Sequence, residues 1–136
     1  MLERGGNVVC RVVKNTSKKS LTAPILRTIK RSATLFTDEW QGYDTVGKIY
    51  TRYVVDHGKG QYVVEDAYTN TIEGFWSIMK RGIIGIYHKT SRKHLYRYVN
   101  EFVFRYNTRK VNDNMRFNLL LCNTEYRITY KQLTND

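Results

Sequence analysis

The order of patterns along this chain predicts an α/β domain, with a partly parallel sheet and helices packed on it. Two observations carry that expectation. β-Branched runs alternate with helical periodicity up to residue 57, and from Thr69 to about residue 121 only helical periodicity remains. A third observation sets the scale. The chain has 136 residues, 41% hydrophobic and 13% aromatic, enough for one domain with a modest core and too apolar for a disordered chain.

The elements follow in order. "NVVCRVVK" (7–14) reads as a strand after a Gly5-Gly6 turn. "NTSKKSLTAPILRTIKR" (15–31) opens with cap residues and sets Leu21, Ile25, Leu26 and Ile29 at helical spacing, with Pro24 tolerated near a first turn. "SATLFTD" (32–38) is a second strand ending on an acid. "EWQGYDTVGK" (39–48) is a short helix or turn, "IYTRYVVDH" (49–57) a third strand, and "GKGQYVVED" (58–66) a loop or short hairpin piece. In "TNTIEGFWSIMKRG" a helix starts near Asn70, with Ile72, Phe75 and Met79 as its apolar stripe. "SRKHLYRYVNEFVFRYNTRK" (91–110) is a helix capped by Ser91. Leu95, Val99, Phe102 and Tyr106 form its core side, and Arg92, Arg97, Arg105 and Arg109 lie on flanking or outer positions. The tail "CNTEYRITYKQLTND" is polar. One domain over 1–110 and a helical or irregular tail over 111–136 are expected.

Charge narrows the function. With 23 Lys and Arg against 12 Asp and Glu, the net charge of +11 favours a polyanionic partner, most often nucleic acid. No stretch approaches the roughly 20 apolar residues of a membrane helix, and the N-terminal sequence lacks the regions of a secretory signal. Cys10 and Cys122 read as buried thiols in a reducing compartment. The expectation is an intracellular soluble domain, cytoplasmic in a bacterium or nuclear in a eukaryote.

Several acids could carry chemistry. An apolar strand delivers Asp38 at its end, where ligands of such sheets gather, and Asp56 and His57 stand similarly after the third strand. Asp38 or Glu39 could equally cap the short helix that follows. Glu73 is the lone acid of its helix, followed by Lys80, Arg81, Lys89, Arg92 and Lys93, a pattern that suits a metal-binding acid beside a phosphate-gripping run. Its competing reading is a capping box with Asn70, favoured by the helix dipole. His57, His88 and His94 lack zinc-site spacing, and there is no Gly-rich phosphate loop or GxSxG elbow.

Four blocks, "LERGG", "TDEWQGY", "TNTIEGFWSIMKRGIIGIYH" and "KHLYRYVNEFVFRYN", together resemble the DDE-type transposases of insertion sequences, in the Merlin-related, ISXO-like group. The resemblance implies an RNase H-like fold, here partial, lacking its first strand and carrying C-terminal helices. It implies that Asp38 matches the second acid of the catalytic triad and Glu73 the third, with 34 residues between them. It further implies that Lys80 matches a basic residue after the third acid, and that Mg²⁺ or Mn²⁺ is the cofactor. Carboxylate-held metal would activate water or a 3′-hydroxyl for in-line displacement at phosphorus. DNA is the implied partner, at transposon ends and target, held by Lys80, Arg81, Lys89, Arg92, Lys93 and Arg97, with a homo-oligomer as the working form. Tyr68 stands where many relatives have His. The family's first Asp lies upstream of the block matching "LERGG", and Glu3 cannot replace it. The chain is therefore expected to be the C-terminal part of a transposase, with little strand-transfer activity alone. Two other readings remain open: a non-catalytic basic DNA-binding remnant, and a small RNA binder, which would need aromatic platforms for unpaired bases.

Overall fold

The computed structural model describes residues 1–55, 63–64, 67–68, 70–124 and 127–135. Its elements run α1 (Lys18–Thr28), β1 (Leu35–Thr37), a 3₁₀ turn (Gln41–Tyr43), α2 (Asp44–Gly47), β2 (Arg52–Val54), β3 (Val63–Val64) and β4 (Ala67–Tyr68). Then come α3 (Asn70–Gly82), a π-helical turn (Ile83–Tyr87), α4 (Leu95–Asn107), α5 (Asp113–Leu121) and α6 (Tyr130–Asn135). β1 and β2 pair in parallel with Phe36 opposite Tyr53, and β3 and β4 pair antiparallel. The mixed helix and strand content agrees with the α/β expectation. Among the described residues the strands form two separate two-stranded sheets.

The expected strand over 7–14 does not form. The chain instead makes a tight hairpin at its start. The N–H and C=O of Met1 and Val9 exchange bonds at 2.9 and 2.8 Å, Leu2 bridges Val8, and the turn closes through Gly5 at φ 66°. Strand propensity in Val8, Val9, Val12 and Val13 needs a partner strand to be realised, and beyond Val9 none is paired among the described residues.

Helix α1 begins as expected from Ser17, whose Oγ accepts the Ser20 N–H. Pro24, however, lies at its seventh position, well past the first turn. Its ring denies Ser20 a helical hydrogen bond, and the helix is held by burying Ile25 against Val46 and Tyr50. Met1, Leu26, Ile29, Leu35, Tyr43 and Ile49 complete this first core. The Tyr50 hydroxyl donates to Ile29 O at 2.9 Å and locks the end of α1 to the segment entering β2.

A second core joins Val8, Phe75 and Phe102, with Leu2, Cys10, Ile72, Met79, Tyr87, Val103 and Tyr106 around it. The expected stripe of α3 meets α4 here through Phe102 and Tyr106 of its expected stripe and through Val103, while Leu95 and Val99 are not part of this cluster. Phe75 stands edge-on to Tyr106 with ring centres 5.5 Å apart. Ser91 does not cap α4 directly. His94 takes the N-cap position without a side-chain bond, and Ser91 Oγ accepts the His94 N–H one turn earlier.

Gly82 sits where α3 approaches α4 so closely that a Cβ would fall on the Phe102 ring. Gly82→Ala is expected to cost about 1–3 kcal/mol by overpacking, read as a lowered urea midpoint. An unchanged midpoint would contradict this close approach. The thiol expectation needs one correction. Cys10 is half-buried, its pKa raised by burial, but Cys122 is exposed at the end of α5, and both are free. None of the described helices is long and apolar enough to cross a membrane.

Candidate functional site

Asp38 follows β1 directly and is exposed. Its loop is built from several bonds onto one cation. Arg52, on the neighbouring strand β2, donates through Nε to Thr37 Oγ1 at 2.8 Å and through Nη2 to Asp38 O at 3.1 Å. Thr37 Oγ1 in turn donates to the same Asp38 carbonyl at 2.8 Å. The Arg52 guanidinium also lies 3.5 Å from Asp44 Oδ1 and 5.8 Å from the centre of the Tyr43 ring. Its side chain is only 11% exposed.

Asp38 does not cap the 3₁₀ turn, whose N-cap position is Trp40 with no side-chain bond. Its Oδ1 accepts the Trp40 N–H at 3.2 Å, a turn-forming role. Oδ2 makes no bond to another described residue, and the residue is exposed. Burial pushes the nearby Tyr43 phenol up, and the Asp38 charge pushes it the same way against Arg52.

Asp44 closes this cluster. Its hydrogen bond from Lys18 Nζ, at 3.0 Å, is the main cause that holds its carboxyl below the usual range, with the Lys18 and Arg52 charges adding to it. A depressed folded pKa stabilises the fold above the unfolded value, and that contribution is lost as pH falls through the folded one. The melting-temperature gap between the native chain and Asp44→Asn is therefore expected to stay level down to about pH 4 and to close below it. A gap that widens on acidification would refute the pairing.

Glu73 lies in the first turn of α3 and is exposed. Lys80 and Arg81 follow in its last turn, both exposed, and neither makes an ion pair with a described residue. Beyond the π-helical turn, the Lys89 and Arg92 side chains are exposed and likewise make no ion pair with another described residue. Two of the expected DNA-gripping cations have other work. Lys93 Nζ donates to Thr134 O at 2.9 Å, tying the turn before α4 to α6. Arg97 is half-buried, donating to the Tyr96 hydroxyl at 2.9 Å while lying 5.4 Å from its ring centre.

Asp38 follows β1, whose Leu35 packs on the core of Ile25, Val46 and Tyr50, and Glu73 stands on α3, whose Ile72, Phe75 and Met79 pack in the core with Val8 and Phe102. Among the described residues, no three His, Cys, Asp or Glu side chains gather as a metal site. Asp56 and His57 lie outside the described residues. Two carboxylates suit a hard cation such as Mg²⁺ in donor chemistry. They do not by themselves make a closed ligand set.

Sequence reasoning missed Arg52, Asn107 and Arg109 as organisers. Asn107, at the end of α4, accepts the Val8 N–H at 2.8 Å and donates to Val8 O at 3.0 Å. Arg109, expected on an outer face, donates to Gly6 O at 3.1 Å and to Tyr106 O at 2.9 Å, with its guanidinium 4.1 Å from the Tyr106 ring centre. Asn107 closes the matching block "KHLYRYVNEFVFRYN", while Arg52 and Arg109 lie outside the four blocks.

A family model described as an ISXO2-like transposase domain matches residues 1–107. No curated protein and no solved structure matches the chain.

Proposed function

The chain belongs to the ISXO2-like transposase family, and from that premise we propose that it serves metal-dependent DNA transposition through Asp38 and Glu73. The observation that carries this reading is the family match over residues 1–107, which includes an exposed Asp38 at the C-terminal end of a parallel strand. That is where a carboxylate meets a ligand in such sheets. The fold of the complete domain would be RNase H-like. Residues 1–110 would carry the function, and 111–136 would form its helical tail.

The roles divide by chemistry. The Asp38 and Glu73 carboxylates would be the oxygen donors for Mg²⁺ or Mn²⁺, and the bound ion would supply Lewis-acid stabilisation at phosphorus. Arg52 fixes the Asp38 main chain so that the carboxylate is presented from a rigid loop. Lys80, Arg81, Lys89 and Arg92 hold the phosphodiester backbone as point charges and forks. Lys93 and Arg97 contribute less to that grip, because each is already engaged within the chain. DNA ends and target are the partners, and self-association would pair the ends.

A second reading is a non-catalytic DNA-binding role, supported by the exposed Lys80, Arg81, Lys89 and Arg92, which can grip phosphate without a metal ion. Mn²⁺ titration followed by electron spin resonance separates the two. Asp38→Ala and Glu73→Ala are each expected to weaken Mn²⁺ binding by roughly tenfold or more, with affinity for duplex DNA retained. If the unmutated chain binds DNA but no Mn²⁺, the non-catalytic reading stands instead.

A further inference from the structure

The charge excess is distributed unevenly. Residues 4–37 contain eight Lys and Arg and no Asp or Glu. Folding lays residues 11–15 beside α1 and leaves an open groove of about 590 Å³ between them. Arg11 and Lys14 line one wall, and Lys19 and Arg27 line the other. All four are exposed, and none makes an ion pair or side-chain hydrogen bond with another described residue. Lys18, one position away, differs in being paired with Asp44.

We propose that this groove is a second DNA-backbone contact, distinct from the cations that follow Glu73. Its shape matches a linear polyanion. Lys19, Ala23 and Arg27 fall at i, i+4 and i+8 on one face of α1, so the two cations stand roughly 12 Å apart along the axis. That spacing exceeds the reach of one phosphate and matches about three to four successive phosphates of a strand, at roughly 3.4 Å of axial rise each. Between the cations the floor is made of small side chains, Ser20, Ala23 and Pro24, which let a sugar-phosphate chain come close. With no acid among the lining residues, nothing in the groove opposes an anion. Because α1 packs on the Ile25 core and α3 on the Phe75 core, this contact and the one at Lys80 are carried by different parts of the fold.

The anion-binding character follows from the groove itself. The choice of DNA as the anion rests on the transposase reading above. Fluorescence anisotropy of the full chain with two unrelated 20-base-pair duplexes, over a salt series, tests both. Arg11→Gln with Lys14→Gln, and Lys19→Gln with Arg27→Gln, are each expected to lower the slope of log K against log salt by about 2. They should weaken both duplexes equally, because the contacts are to phosphate. The swap Lys19→Arg with Arg27→Lys keeps the charges and is expected to keep the slope, which separates lost charge from disturbed folding. An unchanged slope in the fourfold variant overturns the proposal. So does stronger competition by anionic phosphatidylserine vesicles than by duplex DNA at equal phosphate, which would make the groove a membrane contact. A slope lost in these variants, in a chain that binds no Mn²⁺, keeps the groove and removes the metal site. Mn²⁺ binding with an unchanged slope does the reverse.

Discussion

Replacing Asn107 with Ala is expected to destabilise the fold by about 2–6 kcal/mol, the sum of leaving two buried backbone groups unbonded at about 1–3 kcal/mol each. The reason lies in the hairpin at the start of the chain. Met1 and Val9 exchange both of their backbone bonds, so Leu2 and Val8 form the pair that does not. The N–H and C=O of Val8 therefore point outward, toward the hairpin's free edge. Val8 is fully buried, so water cannot satisfy them. The Asn107 carboxamide, chemically a peptide group, presents one acceptor and one donor to that edge and stands in for a neighbouring strand. Arg109 covers Gly6 O two residues along the same edge. The measurement is thermal unfolding together with amide exchange at Val8, whose protection should fall in the variant. Asn107→Asp supplies a sharper control. Its carboxylate keeps the acceptor and loses the donor, so its deficit should shrink in acid, where the protonated acid can donate to Val8 O. Full Val8 protection in Asn107→Ala would show that the edge is covered by something else.

This clasp also marks what local sequence can and cannot announce. The packing faces of α3 and α4 were readable in part, because Ile72, Phe75 and Met79, and Phe102 and Tyr106, each fall at helical spacing and meet in one core. Helix α1 was readable from Ser17 and Ile25, and Asp38 from its place after an apolar run. By contrast, Val8 to Asn107 spans 99 residues and Gly6 to Arg109 spans 103. Side-chain to main-chain bonds at such separation leave no periodic trace. Residues 7–14 were misread for a related reason: β-branched residues show willingness to pair, and the presence of a partner is a tertiary fact. Pro24 shows the same override. Its penalty is a local one, and burial of Ile25 beside it outweighs it. At the candidate site, each acid could be picked out by its immediate neighbours. How they are arranged depends on two cores that local patterns do not relate to each other.

Arg52→Ala is the second large effect expected, about 2–4 kcal/mol of stability, with metal affinity lost alongside it. Arg52 makes hydrogen bonds to Thr37 Oγ1 and Asp38 O with a guanidinium that is almost wholly enclosed, and bonds from charged donors are worth about 1.5–3 kcal/mol each. Part of that is offset, because its contact with Asp44 at 3.5 Å is long and Asp44 keeps Lys18. Losing Arg52 frees the Asp38 carbonyl from one of its two donors, with Thr37 Oγ1 remaining. The loop should then wander while β1 keeps its parallel partner. Arg52→Lys discriminates charge from geometry. An ammonium retains the charge but cannot place Nε and Nη2 donors in one plane, so lysine should restore part of the stability and little of the Mn²⁺ affinity. Equal recovery of both would mean that Arg52 acts through charge alone. Mn²⁺ affinity unchanged in Arg52→Ala, in a chain that still loses binding with Asp38→Ala, would mean that Asp38 is placed by the turn at Trp40 rather than by the strand beside it.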